Sequence, residues 1–251
     1  MELLFLSADG WLPEGVESDT VSLLVDGKIM VDTGWHTVHN LLREGVAIED
    51  VHTLLLTHLH QDHRMGLPAL LFYWLNSHHD VSPLTIYGPE GVEKIVDMSL
   101  EFAGKSQDYA SAPGPQIRTI APGDRLEING LKIGTAPSHH AVHGLMYRFE
   151  DANGRVLVYS GDTAPSEETV QFASGADILI HEHSWGAERP EGPNACGHSS
   201  AEDAARIAAD AEVRQLYIVH SHPATKDDCL NRAKAIFANT IRPAAGDRIV
   251  L

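Results

Sequence analysis

The heptapeptide THLHQDH, residues 57–63, carries three imidazoles and one carboxylate within six residues. It directly follows VHTLLL, an apolar and partly β-branched stretch that predicts a buried strand. The cluster is therefore predicted to lie where a rigid strand gives way to a loop. Surface histidines would be scattered, and core histidines would occur singly. Four coordinating side chains at one strand end indicate a metal site.

The order of predicted elements favours a layered α/β fold. Predicted strands are ELLFLS, the hairpin VSLLVDGKIMVD, VHTLLLT, PLTIYG, the hairpin DRLEINGLKIGTAPS, GLMYRFED, GRVLVYSGD, DILIHEHS, QLYIVHS and DRIVL. Predicted helices are WHTVHNLLREG, GLPALLFYWLNSHH, PEGVEKIVDMSLEFAG, AEDAARIAADAE (capped by Ser199 or Ser200) and TKDDCLNRAKAIFAN, and SQDYASAPGPQI is a predicted loop. Both halves begin with strands and then alternate strand with helix. This order predicts two sheets packed face to face with helices outside, a four-layer αββα sandwich.

Composition narrows the classes of partner. The chain has 18 basic and 35 acidic side chains and a formal net charge of −17, which disfavours long nucleic acid as a partner. No apolar run approaches the roughly 18–20 residues that cross a bilayer, and the N-terminus lacks the features of a signal peptide. Cys196 and Cys229 are too few for a disulfide framework, so a reducing cytoplasm is expected. No linker divides the chain, and residues 1–251 are predicted to form a single domain.

Three further strand ends carry candidate ligands. His139 and His140 follow LKIGTAPS, Asp162 follows VLVYSG, and His220 follows QLYIV. Taken singly, Asp162 could form a turn, the histidine pair could be solvated, and His220 could cap a helix. Two adjacent zinc ions need roughly seven protein ligands, more than one loop supplies. Beside the first cluster, metal binding is the favoured interpretation of all three positions.

Six motifs in the same order resemble the metallo-β-lactamase fold: THLHQDH, HAVHGLMYR, YSGDT, IHEHS, GHSSAEDA and YIVHSH. The resemblance covers nearly the whole chain and is strongest to the ribonuclease Z and phosphodiesterase branch. It implies one metal held by His58, His60 and His140, a second held by Asp62, His63 and His220, and Asp162 as a carboxylate that bridges both. It also implies that Glu182 and His198 form an acid pair outside the ligand set.

Two assignments within the resemblance involve a choice between neighbours. His140 is preferred to His139 for its spacing to Tyr147, and His220 is preferred to His222 because it directly follows the strand. Four histidines are predicted to contact the ligands or line the pocket, namely His139, His143, His183 and His222. Five more are predicted to be solvated or structural: His36, His39, His52, His78 and His79.

The chain departs from ribonuclease Z in one informative way. Ribonuclease Z carries a long arm that grips tRNA between the histidine and aspartate equivalent to His140 and Asp162. Only 21 residues separate these positions here, enough for one strand pair and no arm. The usual glycine-rich N-terminal turn is also replaced by SADGWLPEG. These departures predict a small phosphodiester or ester as substrate.

The resemblance implies a metal-dependent hydrolase, specifically a phosphodiesterase with a metal-bridging hydroxide as nucleophile. Asp62 is expected to bind metal and orient this hydroxide, while His198, oriented by Glu182, protonates the leaving group. Two divalent ions are expected, zinc first, with manganese and iron as alternatives. A homodimer is implied by the family. The alternatives are a lactonase, arylsulfatase or thioesterase, an arm-less tRNA 3′-end endonuclease, and a non-catalytic metal-binding module.

Overall fold

Two mixed sheets form the centre of the structure. The computed structural model describes residues 1–12, 15, 18–189, 191–221 and 226–251, without the side chains of residues 226 and 227. The first sheet contains β1 (Glu2–Ser7), β2 (Ser22–Val25), β3 (Ile29–Val31), β4 (Thr53–Leu55), β5 (Thr85–Gly88), β6 (Gln116–Thr119) and β14 (Arg248–Val250). Their order in the sheet is β14-β1-β2-β3-β4-β5-β6.

The second sheet is built mainly from the later half of the chain. It contains β7 (Arg125–Ile128), β8 (Leu131–Ser138), β9 (Gly144–Glu150), β10 (Val156–Tyr159), β11 (Ile178–His183), β12 (Gln215–Ser221) and β13 (Thr240–Ile241). Their order is β13-β12-β11-β10-β9-β8-β7. Strands β9 and β10 pair through a short turn, so the interval between His140 and Asp162 holds one strand pair, as the sequence predicts.

Helices cover the outer faces of both sheets. They are α1 (Thr37–Arg43), α2 (Gln61–Arg64), α3 (Leu67–His78), α4 (Val92–Phe102), α5 (Glu167–Ala173), α6 (Ala201–Asp210) and α7 (Lys226–Ile236), with a 3-10 helix at Ile48–Asp50. One apolar cluster fills the space between the sheets. A second packs the first sheet against its helices, and a third packs the second sheet against its helices. The predicted four-layer αββα sandwich is confirmed. No helix in the described part of the chain combines the length and apolar character that crossing a membrane requires.

Helix α6 fixes the segment that carries one predicted catalytic residue. Ser200 caps the helix, because its hydroxyl accepts from the Asp203 backbone N–H while the Asp203 side chain accepts from the Ser200 backbone. Alanines on one face of α6 are buried against the second sheet. The sequence GHSS immediately precedes this helix, so the cap and the buried face hold His198 in place.

Several local predictions were wrong. The predicted loop SQDYASAPGPQI ends inside β6, which starts at Gln116 and pairs in parallel with β5. The first cluster lies in a loop only in part, because His58 and His60 precede α2 whereas Asp62 and His63 lie on it. The predicted strand QLYIVHS agrees with β12, so His220 lies within this strand and does not follow it. Helix α5 and strand β13 were not predicted, and His222 and the start of the predicted helix at Thr225 lie outside the described residues.

Candidate metal centre

Three imidazoles meet where the ends of β4 and β8 face each other. His58 and His60 lie between β4 and α2, and His140 follows β8. His60 Nδ1 lies 2.9 Å from His140 Nε2, and the donor atoms of all three residues lie within 4.8 Å of one another. His58 Nε2 is buried and has no hydrogen-bond partner in the structure. A buried nitrogen without a partner is costly, and it is the atom that a metal ion would use.

A second group lies beside the first. His220 Nε2 is 3.2 Å from Asp62 Oδ2 and 3.3 Å from His63 Nε2. The backbone of His220 has a φ of +59°, a conformation uncommon for histidine. The pairing of β11 with β12 shifts register here, with Glu182 opposite Val219 and His183 opposite Ser221. This irregularity at His220 lets its imidazole reach the site.

Asp162 stands between the two groups. Its Oδ1 atom lies 3.5 Å from His63 Nε2 and 3.7 Å from His220 Nε2. Its Oδ2 atom lies 3.8 Å from His58 Nε2. The side chain is 3% exposed, and Oδ1 has no hydrogen-bond partner in the structure. The two oxygens of one carboxylate thus face two different groups of nitrogen donors.

The electrostatics favour metal-binding forms at several positions. Burial lowers the pKa of His58 and His60, and both imidazoles are therefore biased toward the neutral form that binds metal. Burial acts to raise the pKa of Asp162, but His220 and His63 outweigh it and hold that pKa well below its usual value. Neutral nitrogens and ionised carboxylate oxygens are the donors that zinc and related ions prefer. The residues therefore fit divalent metal ions.

One buried carboxylate holds His63 directly and His58 through Thr57, and sequence reasoning missed it. Asp32, fully buried after β3, contacts His63 Nδ1 at 2.8 Å and accepts from the Thr57 backbone and hydroxyl. Thr57 in turn contacts His58 Nδ1 at 3.1 Å. Such hydrogen bonds orient the imidazoles of metal sites. The signal was present in MVDTG, where Asp32 directly follows an apolar strand, much as Asp162 follows VLVY after Ser160 and Gly161.

The predicted acid pair is in contact. Glu182, at 1% exposure on β11, lies 2.8 Å from His198 Nδ1. Burial alone would lower the pKa of His198, but the hydrogen bond to Glu182 prevails and raises it. His198 Nδ1 is 3.9 Å from Asp162 Oδ2, so the pair borders the centre. His140, Asp162 and His198 also lie close enough to form a further candidate metal group.

The other histidines occupy distinct positions. His139 is exposed and lies 3.0 Å from Glu168, so it does not join the first group. His183 is buried, bonds through Nδ1 to the Val219 carbonyl, and burial lowers its pKa to about 3. His143 is exposed and lines a cavity beside His140. The five histidines predicted to be solvated or structural are all exposed: His36, His39, His52, His78 and His79.

Together the two packed sheets and the histidine–aspartate cluster define a metallo-hydrolase of the metallo-β-lactamase fold. The chain belongs to the β-lactamase superfamily, because the family model described as "Beta-lactamase superfamily domain" matches residues 28–221.

Known relatives agree with this assignment. The chain is 27% identical to ribonuclease BN of Proteus mirabilis, an alignment that covers 96% of each chain. It is similar in structure to the metallo-β-lactamase fold protein YhfI from Bacillus subtilis, with a TM-score of 0.83, 21% identity, and coverage of 99% of this chain and 98% of that one. The short form of human tRNase Z gives a TM-score of 0.80 at 19% identity, and the alignment covers 100% of this chain and 99% of that one.

Proposed function

We propose that this protein is a phosphodiesterase that uses two metal ions to hydrolyse small phosphodiesters. The observation that carries the proposal is the position of Asp162, whose two carboxylate oxygens face two separate donor groups. One proposed ion is held by His58, His60 and His140, the other by Asp62, His63 and His220, and Asp162 is the carboxylate common to both. Zinc is the proposed metal, with manganese and iron as alternatives.

Each nearby side chain has a proposed role. When bound, two divalent ions would polarise a phosphoryl oxygen and make water nucleophilic near neutral pH. The Asp62 side chain is 17% exposed and, besides its role as ligand, would accept a hydrogen bond from the attacking water. Asp32 keeps His63 in a fixed orientation and needs no contact with substrate.

His198 is the proposed general acid. Its Nδ1 atom is bonded to Glu182, which leaves Nε2 to face the substrate side and donate a proton to the leaving oxygen. Glu182 is itself held by three backbone N–H groups, those of Thr163, Ser184 and Ser199. A carboxylate held so rigidly fixes the orientation of the His198 imidazole and stabilises its protonated form.

The choice of a small phosphodiester rests on charge and on chain length. The relatives carry names that refer to ribonuclease and tRNase activity, which supports a phosphodiester as the bond cleaved. The turn between β9 and β10 leaves no room for an arm that would grip a large RNA. The net charge of −17 also disfavours a polyanion. The cytoplasmic location and the homodimer stay predictions.

A second candidate function is a tRNA 3′-end endonuclease without an arm. The similarity to ribonuclease BN and to the short form of tRNase Z favours it. A cleavage assay with precursor tRNA separates the two functions, because a small-molecule phosphodiesterase would leave the precursor intact. Lactonase, arylsulfatase and thioesterase activities would use the same donor set and are distinguished by substrate alone.

We expect bis(p-nitrophenyl) phosphate to be hydrolysed with a kcat/KM about 10-fold or more above that of p-nitrophenyl phosphate, because the doubly charged monoester is repelled by the acidic surface. Initial rates with the metal-loaded protein, measured beside a lactone and an aryl sulfate, test the proposal. A wide preference for the lactone or the sulfate would contradict it.

A further inference from the structure

A cavity of about 550 Å³ opens directly beside His140. Its walls come from three segments: the turn after β5, the end of β6 with the connection after it, and the end of β8 with the loop and the start of β9 that follow. His140 lines the cavity and also contacts His60 in the candidate metal centre. A substrate whose phosphoryl group lies at the centre could therefore extend one substituent into this cavity.

The walls of the cavity are rigid and largely apolar. Pro89, Pro122 and Pro137 contribute from the three different segments, and proline fixes its own backbone φ. Ile120 and Leu145 are both buried and form part of the lining. A rigid apolar cavity of this size suits a ring-sized organic group without rearrangement of the protein.

The charges at the cavity select against anions. Among the described residues that line it there is no lysine or arginine, and Glu90 is the lone carboxylate. Glu90 is exposed, so its charge lies toward solvent. The hydroxyl of Thr119 is bonded to Glu93, a second carboxylate at the start of α4. An anionic substituent would meet repulsion from these carboxylates and find no lysine or arginine among the described lining residues to offset it.

We propose that this cavity binds an uncharged aromatic ring, the substituent of a phosphodiester whose anionic group lies at the metal centre. The inference rests on the proposed function and narrows it to aryl or nucleoside diesters that carry no second negative charge on this substituent. Ring atoms would pack against the accessible lining residues Pro122, Pro137 and Val142, and hydrogen-bond donors on the ring would face Glu90.

Phosphinates test the cavity without any hydrolysis, because they are singly charged anions with no leaving group. We expect methyl(phenyl)phosphinate to bind the metal-loaded protein about 10-fold more tightly than dimethylphosphinate, since only the former buries a ring. Calorimetric titration measures both dissociation constants. The (4-carboxyphenyl)methylphosphinate ion should bind more weakly than the phenyl compound, and Glu90→Gln should narrow that difference.

Two tryptophan variants locate the binding. Ala121 lines the cavity and is exposed, so Ala121→Trp should fill the cavity and remove the preference for the phenyl compound. Ala152 is exposed in the turn between β9 and β10, away from the cavity lining, so Ala152→Trp is the matched control and should keep the preference. Equal binding of the two phosphinates by the unmodified protein, or a preference that survives Ala121→Trp, would overturn the inference.

The phosphinate titrations and the hydrolysis assays can fail independently. A protein that hydrolyses diesters but shows no phenyl preference would retain the proposed function and lose the cavity assignment. A protein that hydrolyses no diester, yet loses its phenyl preference in Ala121→Trp alone, would retain the cavity assignment and lose the proposed function.

Discussion

Asp162→Ala is expected to abolish hydrolysis and the joint binding of two metal ions. Asp162 places one oxygen toward His63 and His220 and the other toward His58, so its removal takes a donor from both groups at once. When catalytic residues act as a unit, removing one of them eliminates most of the rate enhancement. We therefore expect kcat to fall by roughly 10³-fold or more. Steady-state kinetics and elemental analysis of the same preparation measure both effects.

The matched control for this variant is His139→Ala. His139 is next to the proposed ligand His140 in the sequence, but its imidazole is exposed and hydrogen-bonded to Glu168. This substitution should leave metal content and kcat close to those of the unmodified protein. An Asp162→Ala protein that kept both ions and its full activity would contradict the bridging role. Melting temperatures of both variants show whether a loss reflects unfolding.

His198→Ala is expected to lower kcat by about 10²–10⁴-fold while leaving the metal content intact, because a general acid contributes a rate factor of this size. The loss should be largest for esters with poor leaving groups, since p-nitrophenolate scarcely needs a proton. Glu182→Gln should reproduce part of the loss. The double variant should lose little more than His198→Ala alone, because the pair acts through one hydrogen bond.

A purely structural role for His198 predicts a different outcome. His198 precedes Ser200, the cap of α6, so its removal could destabilise the start of that helix. Ser200→Ala serves as the control, since losing the cap should cost about 1 kcal/mol of stability and leave kcat unchanged. If His198→Ala behaves in the same way, with a lowered melting temperature and normal kcat across the leaving-group series, the acid role is wrong.

The strand-end rule accounts for what the sequence predicted well. Ligands that follow different strands can converge, and His60 and His140, 80 positions apart, lie 2.9 Å from each other. The order of predicted strands and helices in both halves also predicted two packed sheets with outer helices. The apolar residues of each strand can be recognised in the local sequence because every strand must bury at least one face, whichever strand it pairs with.

Other features depend on tertiary contacts that no local pattern carries. The edge strand β6 lies in a Pro- and Gly-rich stretch, and pairing with β5 makes it a strand. Asp32 was missed because a single carboxylate in MVDTG is typical of a turn, and its bond to His63 exists in the folded chain alone. The irregular register at His220 places its side chain in the site, where simple alternation would not predict it.

Metal content tests the central claim most directly. The protein should be purified without chelator, reconstituted with zinc, separated from free metal and measured by elemental analysis against protein concentration. The account predicts about two ions per chain, because His58, His60 and His140 form one donor group, Asp62, His63 and His220 form another, and Asp162 faces both. A reproducible value near zero after reconstitution would contradict it.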